Sequence, residues 1–150
     1  LVNRTYEIGM SEISMRENAG LLAYSPLGVG YLTGKYRNNK KPKNSRLDLF
    51  YENYPRYHNE RTYNAVDQYF KVAQKHKISL TQLSLAFVNS RDFVTSNIIG
   101  ATTMRQLEEN IDSINVSLNQ EIMEEVNLIH ENIPNPAPWS KNYWKDNKFV

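Results

Sequence analysis

The chain contains no cysteine among its 150 residues. This absence excludes disulfide frameworks, thiolate metal sites and cysteine nucleophiles, and it fits a reducing cytoplasm, which is the predicted location. The sequence also lacks any run close to the ~20 consecutive apolar residues that a membrane span needs. It does not open on the charged and then apolar segment of a secretion leader. We therefore predict a soluble globular domain with no membrane partner.

Neither sign of charge is in excess, because 18 lysines and arginines stand against 16 aspartates and glutamates. This balance points to no particular partner, and we predict none among nucleic acids. Histidine is rare. The separations between His58, His76 and His130 match no metal-binding motif. We therefore predict that the chain holds no metal ion.

Glycine is also scarce, and two common nucleotide-binding motifs are incomplete. After Gly28 and Gly30, the dinucleotide fingerprint would need its third glycine at Thr33. The phosphate-binding loop fails because Val29 stands where its first glycine is needed and Tyr36 stands where serine or threonine is required. Neither motif identifies a function.

Apolar residues alternate between strand-like and helical patterns, which is typical of an α/β fold with a parallel sheet. Short apolar runs predict strands at residues 21–25 and 95–100, and Ser79, Thr103 and Asn119 are predicted to cap the starts of three helices. The predicted apolar stripes of the helices are Tyr6, Met10 and Ile13; Tyr63, Val66, Phe70 and Ala73; Leu80, Leu83, Leu85, Phe87 and Val88; Leu107, Ile111, Ile114 and Leu118; and Ile122, Val126, Ile129 and Ile133.

Two segments do not follow this alternation. Residues 26–58 are predicted to form a long lid-like loop, and residues 134–150 a C-terminal tail whose prolines exclude a helix at its start. The loop is basic, and its tyrosines are interleaved with cations, so a basic RNA-binding module is an alternative function. Outside the loop, acidic residues outnumber basic ones, which disfavours that alternative. The basic cluster of the loop consists of Arg37, Lys40, Lys41, Lys43 and Arg46.

Two junctions between a strand and the segment after it, at residues 24–36 and 98–110, are candidate ligand sites. In parallel α/β folds, ligands bind beyond the carboxyl ends of the strands. Both junctions offer glycine and hydroxyl groups, and the second precedes a helix whose free amides favour a phosphate. From these residues alone, a purely structural turn explains the first junction equally well. An ordinary capped helix is the better explanation of the second.

The two junctions together resemble the cofactor-binding motifs of the aldo-keto reductases. The first resembles their Ser-Pro-Leu turn followed by Gly-Lys-Tyr, and the second their Gly-Ala-Thr/Ser run followed by Gln-Leu and Glu-Asn. Residues 3–7, 85–88 and 135–138 are similar to the Tas-like branch of that family. The resemblance covers essentially the whole chain.

The resemblance implies a (β/α)₈ TIM barrel that binds NADPH and reduces the carbonyl group of a small-molecule substrate. Residues 1–150 would form the C-terminal portion of that barrel, about its last three βα units. The chain begins with leucine, and its length falls short of the ~250 residues typical of such a barrel. We therefore expect an N-terminal half of the barrel that this sequence does not include.

The first junction would hold the nicotinamide end of the cofactor. Tyr24 matches the aromatic residue that stacks on the nicotinamide. Lys35 matches the basic residue at the pyrophosphate, and Arg46 matches the ligand of the 2′-phosphate. The turn around the ribose and pyrophosphate is matched by Ser25, Pro26, Leu27, Gly28 and Val29.

The second junction would hold the adenosine end. Gly100, Thr102 and Gln106 match positions around the adenosine phosphate, and Glu109 and Asn110 match the pair that hydrogen-bonds the adenine. Some family members have lysine in place of Gly100 and arginine in place of Gln106. A preference for NADPH over NADH would therefore depend more on Arg46.

The family's catalytic residues are a tyrosine that protonates the carbonyl oxygen, a lysine and an aspartate that tune it, and a nearby histidine. None of their motifs occurs in this sequence, so no catalytic residue is predicted here. We expect this chain alone to be inactive, as a fragment of a longer reductase or as a truncated product. A non-catalytic NADPH-binding subunit is a further alternative.

Overall fold

The computed structural model describes residues 1–138, so the end of the predicted tail lies outside the described residues. Within them, the chain forms helices, two strands and several short 3₁₀ turns. In chain order the helices and strands are α1 (Met10–Arg16), β1 (Leu21–Tyr24), α2 (Arg46–Leu49), α3 (Glu60–Lys75), α4 (Leu80–Asn89), β2 (Val94–Ile98), α5 (Met104–Asp112) and α6 (Gln120–Asn132). The 3₁₀ turns are Thr5–Glu7, Gly28–Thr33, Arg37–Asn39, Tyr51–Asn53, Pro55–Tyr57 and Ser113–Asn115.

The two strands pair in parallel, with Leu22 opposite Ser96 and Tyr24 opposite Ile98. Antiparallel strands can be joined by a tight turn, but parallel strands need a long crossover. Here the crossover carries α3 and α4. The α/β class matches the sequence prediction. Residues 1–138 contain two strands, one fewer than about three βα units would supply.

The predicted helix starts are confirmed by their capping bonds. Ser79 accepts a hydrogen bond from the backbone of Gln82, whose side chain accepts one from the backbone of Ser79 in return. Thr103 and Asn119 cap α5 and α6 in the same way through one bond each. These side-chain oxygens satisfy amides that have no partner within the helix. Among residues 1–138, no helix combines the length and apolarity that crossing a membrane would require.

The core lies where α3 packs against α4 on one side and against α6 on the other. The middle of α4 is buried on most sides, as its nearly continuous apolar run predicts. In α3, however, the most deeply buried ring belongs to Tyr69, whereas the predicted Tyr63 and Phe70 are only partly buried. The most buried apolar side chains of α6 are Ile122, Val126 and Ile129, as predicted.

The segment at residues 26–58 packs into this core through its aromatic side chains. Tyr31 is 4% exposed, and its ring centre lies 5.6 Å from that of Tyr57 and 6.0 Å from that of Tyr63. The chain in this segment makes short helical turns and the single-turn helix α2. Neither its turns nor its buried rings follow a regular period, so the sequence predicts only one long loop here.

Two predictions about α1 and α5 are wrong. One continuous first helix was expected, but Gly9 has φ of +80° and separates the turn Thr5–Glu7 from α1. The stripe of α5 was expected to be buried, but Ile111 is 56% exposed and Ile114 is 68% exposed. The reason is that α5 and the turn Ser113–Asn115 pack against α4 with Asn110 and Ser113 buried, which leaves Ile111 in α5 and Ile114 in the turn exposed.

Exposed apolar side chains and open strand edges make the chain prone to self-association. We expect the 150-residue chain to form concentration-dependent dimers or larger species through its two-stranded sheet, because Leu22 and Tyr24 on β1 are each more than 60% exposed. Sedimentation velocity over a range of concentrations measures this. A monomer with a sharp thermal transition that does not depend on concentration would contradict it.

The buried and exposed apolar positions of the helices differ in their contribution to stability. Leu83 of α4 is fully buried, so we expect Leu83→Ala to lower the free energy of unfolding by about 2–5 kcal/mol. Leu128→Ala, at a position 58% exposed in α6, is the matched control and should change it by no more than about 0.5 kcal/mol. Urea denaturation followed by circular dichroism measures both. Equal losses would contradict the assigned core.

Candidate functional site

The two predicted junctions lie side by side at one edge of the sheet. Because β1 and β2 are parallel and Tyr24 stands opposite Ile98, their carboxyl ends point the same way. Adjacent strands are ~4.8 Å apart. The segments that follow Tyr24 and Ile98 therefore begin next to each other. We call them the first corner, residues 24–36, and the second corner, residues 98–110.

The backbone of the first corner turns sharply through a series of left-handed residues. Ser25, Gly28, Val29 and Gly30 have φ of +54°, +51°, +51° and +103°. Short-range bonds hold the turn, since the amide of Gly28 donates to the carbonyl of Ser25 and that of Gly30 donates to Leu27, both at 2.9 Å. Two residues with side chains in this conformation mark a turn whose shape is fixed by its surroundings.

Lys35 is held close to this turn. A Cβ atom at Gly30 would lie 2.9 Å from Cε of Lys35 and 3.2 Å from its Nζ, so only glycine leaves room for the lysine. The ammonium also lies 5.0 Å from the ring centre of Tyr36. The first corner therefore places one positive charge next to a tight turn, and this charge suits an anion such as a phosphate.

The start of the first corner is open to a ligand. Tyr24 is 63% exposed, and Ser25 and Pro26 are partly exposed. All three line a cavity of about 300 Å³ between β1 and the first seven residues of the chain. An exposed aromatic ring at a strand end offers a flat surface for stacking.

Hydrogen bonds within the second corner set the path of its loop. The side-chain oxygen of Gln106 accepts bonds from the backbone amide of Thr102 at 2.9 Å and from its hydroxyl at 3.0 Å. Asn110 is buried, and its side-chain amide donates to the carbonyl of Gly100 at 3.2 Å. Gly100 itself is exposed, and an added Cβ there would meet nothing within 4 Å. The segment after β2 is thus held by Asn110, while the space around Gly100 stays open.

Glu109 links the second corner to the start of α4 through a hydrogen bond that the sequence does not predict. The hydroxyl of Ser79 donates to a carboxylate oxygen of Glu109 at 2.6 Å. The sequence pattern identifies Ser79 only as a helix cap. A bond between residues 30 positions apart leaves no local sequence signal.

Arg46 lies in neither corner. It is the first residue of α2, where its side chain is exposed, and Ser45 caps that short helix. The two corners, which begin side by side, include in their sequences all the predicted cofactor residues except Arg46.

A cluster outside both corners has the composition of a metal site. One ligand atom each from His76, Glu121 and Glu125 lie within 4.8 Å of one another. Lys75 donates hydrogen bonds to both carboxylates, and His76 lies 3.0 Å from Glu125. The lysine already supplies positive charge where a metal ion would. The cluster is best described as an ion-pair network that joins α3 to α6.

The ion pairs of this network lower the pKa of Glu125. Its hydrogen bond from Lys75 holds the pKa of the Glu125 carboxyl below its usual range, and His76 contributes in the same direction. The hydrogen bond to Glu121, followed by that to Glu125, raises the pKa of Lys75 to about 12. Both groups are therefore charged at neutral pH.

The chain is similar in sequence to known proteins. The sequence model described as "Aldo/keto reductase family" matches residues 1–131. The chain is 44% identical over 138 residues to "Protein tas" of Escherichia coli, covering 92% of this chain and 40% of that protein. It is 32% identical over 123 residues to "Aldo-keto reductase yakc [NADP(+)]" of Schizosaccharomyces pombe, covering 80% of this chain and 35% of that protein.

A solved structure is also similar. The glycerol dehydrogenase of Gluconobacter oxydans superposes with a TM-score of 0.70 at 26% identity. The superposition covers 93% of this chain and 42% of that one. The chain thus spans about two fifths of the length of these proteins.

The ion-pair network should make stability depend on pH. Because the pKa of Glu125 is lowered in the folded chain, its contribution is present above the unfolded value of ~4.3 and is lost as the pH falls through the folded value. We expect Glu125→Gln to lower the urea midpoint at pH 7, with a smaller difference from the parent chain at pH 3. Glu131→Gln, at an exposed position of the same helix, is the control. A difference that is the same at both pH values would contradict this assignment.

Proposed function

This chain belongs to the aldo/keto reductase family, and we propose on that premise that it forms the cofactor-binding part of an NADPH-dependent enzyme that reduces aldehydes or ketones to alcohols. The observation that carries the proposal is the parallel pairing of β1 with β2, because it sets the two corners next to each other. One extended nucleotide can then contact both. The (β/α)₈ class of the family supports a complete barrel, of which this chain would supply the C-terminal portion.

The groups of the first corner suit the nicotinamide end of NADPH. We assign the exposed ring of Tyr24 to stacking on the nicotinamide and the turn from Ser25 to Val29 to the ribose and pyrophosphate. Lys35, held against Gly30, would neutralise pyrophosphate charge. These residues fit the cofactor because they offer a flat ring, a tight turn and one cation in that order along the chain.

The groups of the second corner suit the adenosine end. Gly100 leaves the backbone accessible. Thr102 precedes α5 and Gln106 lies in its first turn, and the first amides of this nine-residue helix favour an anion. We assign Glu109 and Asn110 to the adenine. Their bonds to Ser79 and Gly100 would hold both side chains in position before the nucleotide arrives.

The chemistry would be divided between this chain and the rest of the enzyme. When bound, NADPH supplies the hydride that reduces the carbonyl carbon. This chain's residues bind and orient the cofactor, and we assign none of them to protonation of the carbonyl oxygen. That role falls to the part of a longer enzyme that this sequence does not contain. The cytoplasmic location remains a prediction from the lack of cysteine.

Arg46 is the residue that would distinguish NADPH from NADH, because its planar guanidinium suits the 2′-phosphate that only NADPH carries. We expect Arg46→Gln to weaken NADPH binding about tenfold, as the loss of one charge-assisted contact does, and to leave NADH binding unchanged. Fluorescence enhancement of the reduced cofactors on titration with the chain measures both affinities.

The control is Lys43→Gln, three residues earlier in the same segment. Equal weakening by both substitutions would mean that overall charge, rather than a phosphate contact, determines binding. Absence of saturable NADPH binding, together with a salt-dependent shift of RNA in a gel, would favour the RNA-binding alternative instead. NADPH binding without carbonyl-dependent oxidation, measured in a longer polypeptide that includes the upstream half, would favour a non-catalytic subunit.

A further inference from the structure

A second cavity lies between the turn Arg37–Asn39 and helix α3. Its volume is about 510 Å³, within the range of ~300–1,000 Å³ that small-molecule sites occupy. Lys40, Lys41 and Tyr51 close it from the chain that follows the turn, and Tyr63 and Asp67 close it from α3. No residue assigned above to the cofactor lines this cavity. Two of its lining residues, Tyr31 and Tyr36, belong to the first corner, but neither is assigned to the cofactor. The cavity is therefore a second site next to the first corner.

Tyrosine rings form the apolar part of the lining, with contributions from Tyr31, Tyr36, Tyr51 and Tyr63. The rings of Tyr31 and Tyr63 are nearly parallel at 6.0 Å, and Tyr36 meets Tyr31 edge to face at 5.3 Å. Burial raises the pKa of Tyr31 and of Tyr63, so both phenols stay protonated and neutral. The rings therefore offer aromatic faces and edges together with hydroxyl groups that can donate hydrogen bonds.

The charged residues of the lining leave one positive charge in excess. Three cations face two carboxylates there, because Arg37, Lys40 and Lys41 stand against Glu60 and Asp67. The guanidinium of Arg37 is engaged, since its Nε donates to Asp67 at 2.5 Å and it lies 3.6 Å from the ring centre of Phe70.

The two lysines are the cations available to a ligand. Within residues 1–138, no carboxylate lies within ion-pair distance of Lys40 or Lys41. The ammonium of Lys41 sits 4.1 Å from the ring centre of Tyr51. Tyr51 is also stacked on His58 at 3.8 Å, so this ring supports Lys41 rather than a ligand. An ammonium at the wall of a tyrosine-lined cavity offers an anionic group a partner close to other aromatic rings.

We propose that this cavity is a second ligand site, which binds small planar aromatic carboxylates. The carboxylate is held by Lys40 and Lys41, and the ring lies among the tyrosines. A monoanion matches the single excess charge of the lining. An inorganic phosphate would leave the aromatic faces without a partner, and a neutral ring would leave the lysines without one.

Isothermal titration of the 150-residue chain with 2-naphthoate tests the site, and 2-naphthamide serves as the neutral ligand of the same shape. We expect saturable binding of the carboxylate and binding of the amide at least about tenfold weaker. Replacement of both lysines (Lys40→Gln with Lys41→Gln) should weaken binding of the carboxylate by a similar factor. Both lysines are exposed, so the variant should fold, and circular dichroism verifies this.

Lys43→Gln is the matched control, because Lys43 belongs to the same basic segment but does not line the cavity. It should leave binding of 2-naphthoate unchanged. The proposal is overturned if Lys43→Gln weakens binding as much as the double substitution, if the amide or inorganic phosphate binds as tightly as the carboxylate, or if no binding saturates. It is also overturned if NADPH displaces 2-naphthoate. Because the readout does not require NADPH to bind, failure of the proposed cofactor site would leave this test intact.

Discussion

Parallel pairing between β1 and β2 is the interaction on which the candidate site depends. It aligns two segments about 70 residues apart, so that both corners start at one edge of the sheet. The crossover that makes this pairing possible also supplies much of the core, because α3 and α4 lie within it and α3 packs against both α4 and α6. If the same two strands were antiparallel, the corners would lie at opposite ends of the sheet. The direction of pairing thus links the fold to the proposed function more directly than any single side chain does.

Local signals in the sequence predict the strands, the helix caps and the buried stripes of α4 and α6, because hydrogen bonding and burial at these places depend on nearby residues. The same reasoning fails for α5. Its stripe has the right period, yet Ile111 and Ile114 are exposed, because period predicts which side can be buried and not whether anything covers it. The proposed contacts of the candidate site come from family motifs rather than from periodicity. The position of Arg46 is the least determined by sequence, because a segment of irregular turns separates it from the first corner.

The segment at residues 26–58 combines two properties that are usually found apart. Its tyrosines belong to the core, with Tyr31 and Tyr57 almost fully buried, whereas most of its cations lie at the surface. Burial of the rings therefore holds in place the backbone that carries the charged side chains. This arrangement explains how one basic segment can present Lys35 at the first corner and Lys41 at a separate cavity. Composition alone would describe both as part of the same charged loop.

The hydroxyl group of Ser79 makes two hydrogen bonds, one as an acceptor and one as a donor. Its oxygen accepts from the amide of Gln82 at the start of α4, and its hydrogen is donated to the carboxylate in α5. A side chain such as aspartate could replace the first bond, but it would repel Glu109. Alanine would lose both bonds at once. The position consequently favours side chains that can accept and donate at once, so the geometry of the second corner restricts the sequence of a distant helix terminus.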